Sequence, residues 1–246
     1  MKRALITGAN KGIGFATAKL LLQKGYYVYL GSRNSQNGAE AIEKLKAEGL
    51  MHVECVQIDV TDNSSVKTAR KEIGKKTDLL DVLINNAGIN GGSDPYTALE
   101  SKQEEFRAAF DVNVIGTSRV IQVFMDLLRK STQPRIVNLS TSVGSLTLQS
   151  DPNWPAYNFA KYAVYAASKA ALNMYTIHLA YELRNTNFKV NVVCPGLTAT
   201  DFTFGNGGNA ETAAKRVAKY VTIGKDGPTG KFFSEETNPE RAEIPW

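Results

Sequence analysis

The sequence predicts an α/β fold: a doubly wound parallel sheet with helices on both faces, built as a single domain over residues 1–246. Three observations predict it. Short apolar runs alternate along the chain with longer segments of helical period, which is the signature of βαβ units. The run at 79–84 is nearly all apolar, as suits a parallel strand buried on both faces. A glycine-rich turn stands directly behind the first strand and opens a helix, which is where such folds bind phosphates.

The first strand, 4–6, leads into Thr7-Gly8-Ala9-Asn10-Lys11-Gly12-Ile13-Gly14. Glycine at 8, 12 and 14 permits positive φ and lets backbone N–H groups approach a diphosphate with no Cβ in the way. Gly8, Asn10, Lys11, Gly12, Ile13 and Gly14 are therefore candidate cofactor residues. The helix that follows puts Ile13, Ala16, Leu20 and Leu21 on one face and stops at Lys24-Gly25. A β-branched and aromatic strand comes next, at 27–30. A site that prefers NAD usually carries Asp or Glu about 20 residues past the glycines, to accept from the ribose 2′-hydroxyl. Here the strand ends Gly31-Ser32-Arg33-Asn34, with no carboxylate. Ser32, Arg33 and Lys11 suit a 2′-phosphate instead, so the expected cofactor is NADP(H). The competing reading of Lys11 and Arg33 is a pair of solvated surface cations.

Ala39, Ile42 and Leu45 mark the next helix, closed by Gly49, and a strand follows at 53–58. Asp59 and Val60 come where they can reach an adenine edge; for Asp59 a plain turn role competes. Thr61-Asp62 caps a helix with Val66, Ala69 and Ile73 inward. The strand 79–84 ends in Asn85-Asn86-Ala87-Gly88, with a loop at 90–93 and a helix at 99–110. Residues 111–116, Asp-Val-Asn-Val-Ile-Gly, open a long helix through Val120, Phe124 and Leu128. Asn is poor inside a helix because its amide competes for backbone groups, so Asn113 by itself reads as a structural hydrogen-bonder. The strand 135–139 ends in Ser140-Thr141-Ser142-Val143-Gly144, and its hydroxyls stand at a carboxyl end, where open parallel sheets bind ligands.

Two Tyr-x-x-x-Lys pairs follow, Tyr157/Lys161 and Tyr165/Lys169. Positions i and i+4 share a helix face, which sets an ammonium beside a phenol and favours the phenolate. Spacing alone allows either pair. Only the second continues into an unbroken amphipathic helix, with Leu172, Tyr175, Leu179 and Leu183 on one face. The first follows Pro152 and Pro155 in an irregular aromatic stretch. After a strand at 190–193 comes Cys194-Pro195-Gly196-Leu197-Thr198-Ala199-Thr200. The Gly/Asn-rich 205–209, flanked by Phe202 and Phe204, is either a mobile substrate lid, within a loop of about 199–212, or a surface loop. A helix at 213–221, a last strand at 230–233 and a polar tail to Trp246 complete the chain.

The ordered pair TGANKGIG and NNAG, with Tyr165-Ala-Ala-Ser-Lys169-Ala-Ala-Leu, resembles the short-chain dehydrogenase/reductase family over essentially the whole chain. Lys11, Ser32-Arg33 and the closing G-P-T-G-K-F-F-S-E are similar to its carbonyl-reductase branch. The resemblance implies a Rossmann-type fold and NADPH-dependent reduction of an aldehyde, ketone or quinone. Asn86, Ala87 and Gly88 would line the cofactor ribose, and Asn113 would hold a water that passes protons to the lysine. Pro195, Gly196, Thr198 and Thr200 would hold the nicotinamide carboxamide. The hydroxyl that polarises the substrate carbonyl falls on Thr141, where the family has serine, with Ser142 as the alternative. Tyr165 would be the general acid, and Lys169 would hold the ribose. The segment 145–164 is longer than the family's usual spacing and lies beside the helix many relatives use to dimerise, which favours a monomer over a homodimer or homotetramer. Trp154, Tyr157 and Phe159 either wall the substrate site or pack. The alternative function is a non-catalytic NADP(H)-sensing protein of the same fold.

Composition bounds the rest. The charge of +5 is mild and spread out, with no basic cluster of the kind nucleic acid needs. No apolar run reaches the about 18 residues of a membrane span, and Met1-Lys2-Arg3 leads straight into the first strand with no apolar leader. Cys55 and Cys194 have neither disulfide nor metal spacing. A cytoplasmic protein with a small-molecule substrate, and with no metal, nucleic-acid or membrane partner, is expected.

Overall fold

The computed structural model describes residues 1–92 and 97–246; Ser93, the end of the loop expected at 90–93, lies outside them. Among the described residues, seven strands form one sheet: β1 (Arg3–Ile6), β2 (Tyr27–Ser32), β3 (Val53–Gln57), β4 (Val82–Asn85), β5 (Arg135–Leu139), β6 (Lys189–Val193) and β7 (Phe232–Phe233). Their order is β3-β2-β1-β4-β5-β6-β7, and every pairing is parallel. The winding reverses between β1 and β4, so a crevice opens at the carboxyl ends of those two strands. The helices are α1 (Gly12–Gln23), α2 (Ser35–Ala47), α3 (Asn63–Gly74), α4 (Gln103–Phe110), α5 (Thr117–Leu128), α6 (Leu146–Ser150), α7 (Ala163–Glu182) and α8 (Ala210–Val221).

A hydrophobic core forms on each face of the sheet. Leu21 of α1, Ile42 of α2 and Val217 of α8 pack on one face of the sheet. Ile73 of α3, Phe124 of α5 and Leu179 of α7 pack on the other. Parallel strands covered on both faces need apolar residues on both, and Ala4, Leu5 and Ile6 of β1 are all fully buried.

Several boundaries differ from expectation, each for a local reason. The strand expected at 79–84 starts at Val82, because the Asp81 carboxylate accepts from the Arg3 N–H (2.8 Å) and the Ser131 hydroxyl (2.6 Å). The helix expected from 99 starts at Gln103, where the Glu105 carboxylate accepts from the Lys102 N–H at 2.9 Å. Gly38 and Ala41, rather than Ala39, share the inner face of α2 with Ile42 and Leu45. The long helix expected through 111–128 is broken by a π turn over Asp111–Gly116. The polar tail is docked: Trp246 stacks on Phe232 (5.4 Å between centroids), and its carbonyl accepts from the Thr147 N–H at 3.0 Å.

Candidate active site

The glycine turn forms a cradle that side chains would fill. Gly8 and Gly12 have φ of +62° and +57°, where only glycine is unstrained. A Cβ at Gly14 would lie 2.5 Å from Asn86 Nδ2 and 2.7 Å from the Gly8 carbonyl oxygen. Asn86 ties the turn to the end of β4: its Nδ2 donates to the Thr7 and Gly8 carbonyls, both at 2.9 Å. The Thr7 hydroxyl accepts from the backbone N–H of Asn86 and of Ala87, each at 3.1 Å. Asn10 and Ile13 are half-buried beside the cradle.

At the end of β2 no carboxylate is present, and Arg33 is exposed. Arg33 and Asp59 line one cleft together with Gln57 and Ser65. This set can hold a phosphorylated dinucleotide: a glycine cradle suits the diphosphate, and an exposed guanidinium stands where an NAD site carries an acid, in a cleft that Asp62 and Glu72 also line. Ser32 contributes less than expected, since it is buried and its hydroxyl donates to the Asn34 carbonyl at 2.7 Å. Asp59 spends one oxygen on a turn, accepting from the Thr61 N–H (2.9 Å) and hydroxyl (2.7 Å). Val60 is buried, and its carbonyl accepts from the Arg119 guanidinium. Lys11 pairs with Asp201 at 2.6 Å, both largely exposed.

The catalytic candidates converge on α7. Tyr165 and Lys169 lie one helical turn apart in it. Lys169 is buried and donates to the Leu139 carbonyl at 2.8 Å. Asn113 is fully buried in the π turn; its Oδ1 accepts from the Ile89 N–H (2.9 Å), while its Nδ2 donates to the Ile89 carbonyl (2.8 Å) and the Ser168 hydroxyl (2.9 Å). A Cβ at Gly88 would lie 3.2 Å from Asn113 Oδ1 and 3.5 Å from Lys169 Nζ, so NNAG, the π turn and the lysine meet at one point. Of the three hydroxyls after β5, Ser140 is buried, whereas Thr141 and Ser142 are half-buried. The Thr141 hydroxyl accepts from the Val143 N–H at 3.3 Å.

Burial governs the protonation states here. It pushes the Lys169 ammonium down to about 8 and the Tyr165 phenol up, with nearby Cys194 a smaller upward influence on both. The expectation that Lys169 makes Tyr165 acidic is therefore corrected. The ammonium lies 5.7 Å from the ring centroid and is directed at Leu139, so desolvation outweighs its pull.

The other Tyr/Lys pair is elsewhere in kind. Lys161 Nζ stands 3.8 Å above the Tyr157 ring and donates to the Gln149 carbonyl (2.9 Å) and Oε1 (3.0 Å), ahead of α7 rather than in it. Trp154 is buried, while Phe159 is exposed.

Beyond β6, the Pro195 carbonyl accepts from Arg216 at 2.8 Å, and Gly196 has φ of +87°. Thr198 is buried and donates to the Gly196 carbonyl at 3.0 Å. Thr200 touches the glycine turn: a Cβ at Gly12 would lie 3.2 Å from its Cγ2. The Gly/Asn loop is pinned at its base, with the Ala199 N–H donating to Gly208 (2.8 Å) and the Gly208 N–H to Leu197 (2.9 Å). Phe202 lays its ring 5.3 Å from that of Tyr165, tilted by 57°. Sequence reasoning placed Phe202 beside a lid but missed Asp201, Arg216 and Glu236, whose carboxylate pairs with Arg216 at 3.7 Å and accepts from the Leu197 N–H at 3.1 Å. Those roles depend on ion pairs between distant segments, which no local pattern announces.

The family model described as short chain dehydrogenase matches residues 2–206. The short-chain dehydrogenase anuI of Penicillium roqueforti is 36% identical over 238 residues, covering 94% of this chain and 93% of that protein. The structure of salutaridine reductase from Papaver somniferum superposes with a TM-score of 0.81 at 30% identity, covering 95% of this chain and 100% of that one. An NADPH-bound carbonyl reductase from chicken fatty liver shares the fold with a TM-score of 0.85 at 24% identity, covering 100% and 99%.

Proposed function

The chain belongs to the short-chain dehydrogenase family, and from that premise we propose that it reduces an aldehyde, ketone or quinone to an alcohol with NADPH, Tyr165 giving the proton. It is an oxidoreductase of that family. The observation that carries the finer reading is the convergence at Gly88 of Asn113 and Lys169, one helical turn from Tyr165.

The glycine cradle with Asn86 would hold the diphosphate. Arg33, with Lys11, would hold the 2′-phosphate, and the segment from Pro195 to Thr200 would hold the carboxamide. NADPH, when bound, supplies a hydride to the carbonyl carbon. The residues supply the rest. Tyr165 donates its phenolic proton to the carbonyl oxygen as negative charge develops there. A tyrosine phenol is protonated at neutral pH, which is the form reduction needs, and burial pushes Tyr165 further up. Thr141, whose oxygen is already oriented by the Val143 N–H, donates to the same oxygen. Its methyl narrows the pocket relative to serine. Lys169, anchored on Leu139, holds the ribose and returns a proton to Tyr165 along a path completed by Asn113. Ser145, Leu146, Gln149, Lys161 and Tyr162 of the 145–164 segment line a groove with Ala163, Ala166 and Ala170 of α7. The monomer reading rests on the length of that segment beside the helix.

The test is NADPH oxidation by the purified protein across a panel of aldehydes, ketones and quinones. Turnover with at least one carbonyl class, faster with NADPH than with NADH, is expected. Tight NADPH binding with no turnover on any class would contradict the reading and favour a sensor.

A further inference from the structure

One ion pair ties the two halves of the site together. Lys11 projects from the glycine turn, and Asp201 opens the short turn Asp201–Thr203 that carries Phe202. The two are joined at 2.6 Å across 190 residues of sequence. The next residue, Phe202, packs its ring on that of Tyr165, and the preceding one, Thr200, sits against Gly12. Lys11 holds the Asp201 carboxylate below its usual range. The turn is further fixed by Thr203, whose hydroxyl donates to the Thr198 carbonyl at 2.5 Å. Lys11 is also a cation the glycine turn offers to a 2′-phosphate. A single ammonium thus faces two anions, one in the protein and one on the cofactor.

We propose that Asp201 is a positioning residue for cofactor selection: it draws Lys11 toward the substrate loop, so that the 2′-phosphate of NADP(H) and the loop compete for one ammonium. This rests on the NADP(H) reading above. Its consequence is a coupling between the two ends of the site. The 2′-phosphate takes Lys11, the Asp201–Thr203 turn loses its outer tether, and the ring of Phe202 is freed to leave Tyr165 and meet substrate. NADH, with no phosphate at that position, leaves the tether in place.

Dissociation constants for NADPH and NADH, measured by fluorescence titration on wild type, Asp201→Asn, Lys11→Ala and the double variant, test this. Asp201→Asn should tighten NADPH about two- to fivefold, the range an exposed ion pair supports, and leave NADH unchanged. In the Lys11→Ala background the same substitution should change neither; with Lys11 present, Asp201→Glu, which keeps the carboxylate, should keep wild-type selectivity. No NADPH response to Asp201→Asn, or an equal response without Lys11, overturns the proposal alone. A wild type that prefers NADH overturns the cofactor reading and the proposal with it.

Discussion

Two tyrosine–lysine pairs of identical spacing stand eight residues apart in this chain, and they have opposite environments. In the first, Lys161 lies 3.8 Å over the Tyr157 ring and is exposed. In the second, Lys169 is buried, 5.7 Å from the Tyr165 ring, and its charge is directed at a strand carbonyl. The closer contact belongs to the pair the account assigns no chemistry. What separates the pairs is the platform. Lys169 and Tyr165 lie in a 20-residue helix packed on the sheet, and Gly144 lets that helix approach the end of β5. Tyr157 lies in an irregular stretch, where Gln149 fixes the lysine at the wall of the groove beside α7.

The comparison breaks most directly at the phenols. Tyr165→Phe should lower kcat about 10²- to 10⁴-fold, as expected for loss of a general acid, with NADPH affinity kept. Tyr157→Phe should leave kcat within about twofold, since phenylalanine keeps the ring face under Lys161 and no step uses the hydroxyl. Steady-state kinetics on both variants reads the difference.

Next in size is Gly144→Ala. The added Cβ would meet Lys169 Cβ at 2.8 Å and the Lys169 carbonyl carbon at 3.1 Å, neither of which can swing away. About 1–3 kcal/mol of stability should be lost, together with activity, as α7 is pushed from the strand end. Urea unfolding of this variant checks it.

A smaller effect sharpens the contrast through pH. A lysine held at about 8 in the fold and near its ordinary value when unfolded binds fewer protons folded than unfolded between those values. Stability therefore rises with pH across that window, and the cost of burying the ammonium is fully present below pH 8. Lys169→Met removes the titration. From pH 7.5 to 9.5 wild type should gain about 2 kcal/mol on the variant. A flat difference in paired urea titrations would contradict it.

These contrasts show what the sequence makes legible. The glycine turn could be read because backbone chemistry dictates it: positive φ at Gly8 and Gly12, and no room for a Cβ at Gly14, leave glycine as the residue that fits. The parallel, doubly wound sheet followed from the alternation of apolar runs with helical segments, and the place of Tyr165 on a long helix from helical periodicity. Where side chains settled the matter, the reading slipped. Asp81 delayed β4 by turning to Arg3 and Ser131. Desolvation pushes the Tyr165 phenol up, an effect the sequence does not display. Asp201 gained its partner from a turn 190 residues away.

The central claim is that the hydroxyl of Tyr165, and not that of Tyr157, delivers the proton. The most direct measurement is a crystal structure of the protein with NADP⁺ and a carbonyl substrate or its alcohol. The account predicts the Tyr165 oxygen about 3 Å from the substrate oxygen, with Phe202 moved off the ring. A substrate oxygen bonded to Tyr157 instead, or lying beyond hydrogen-bond reach of Tyr165, would contradict it.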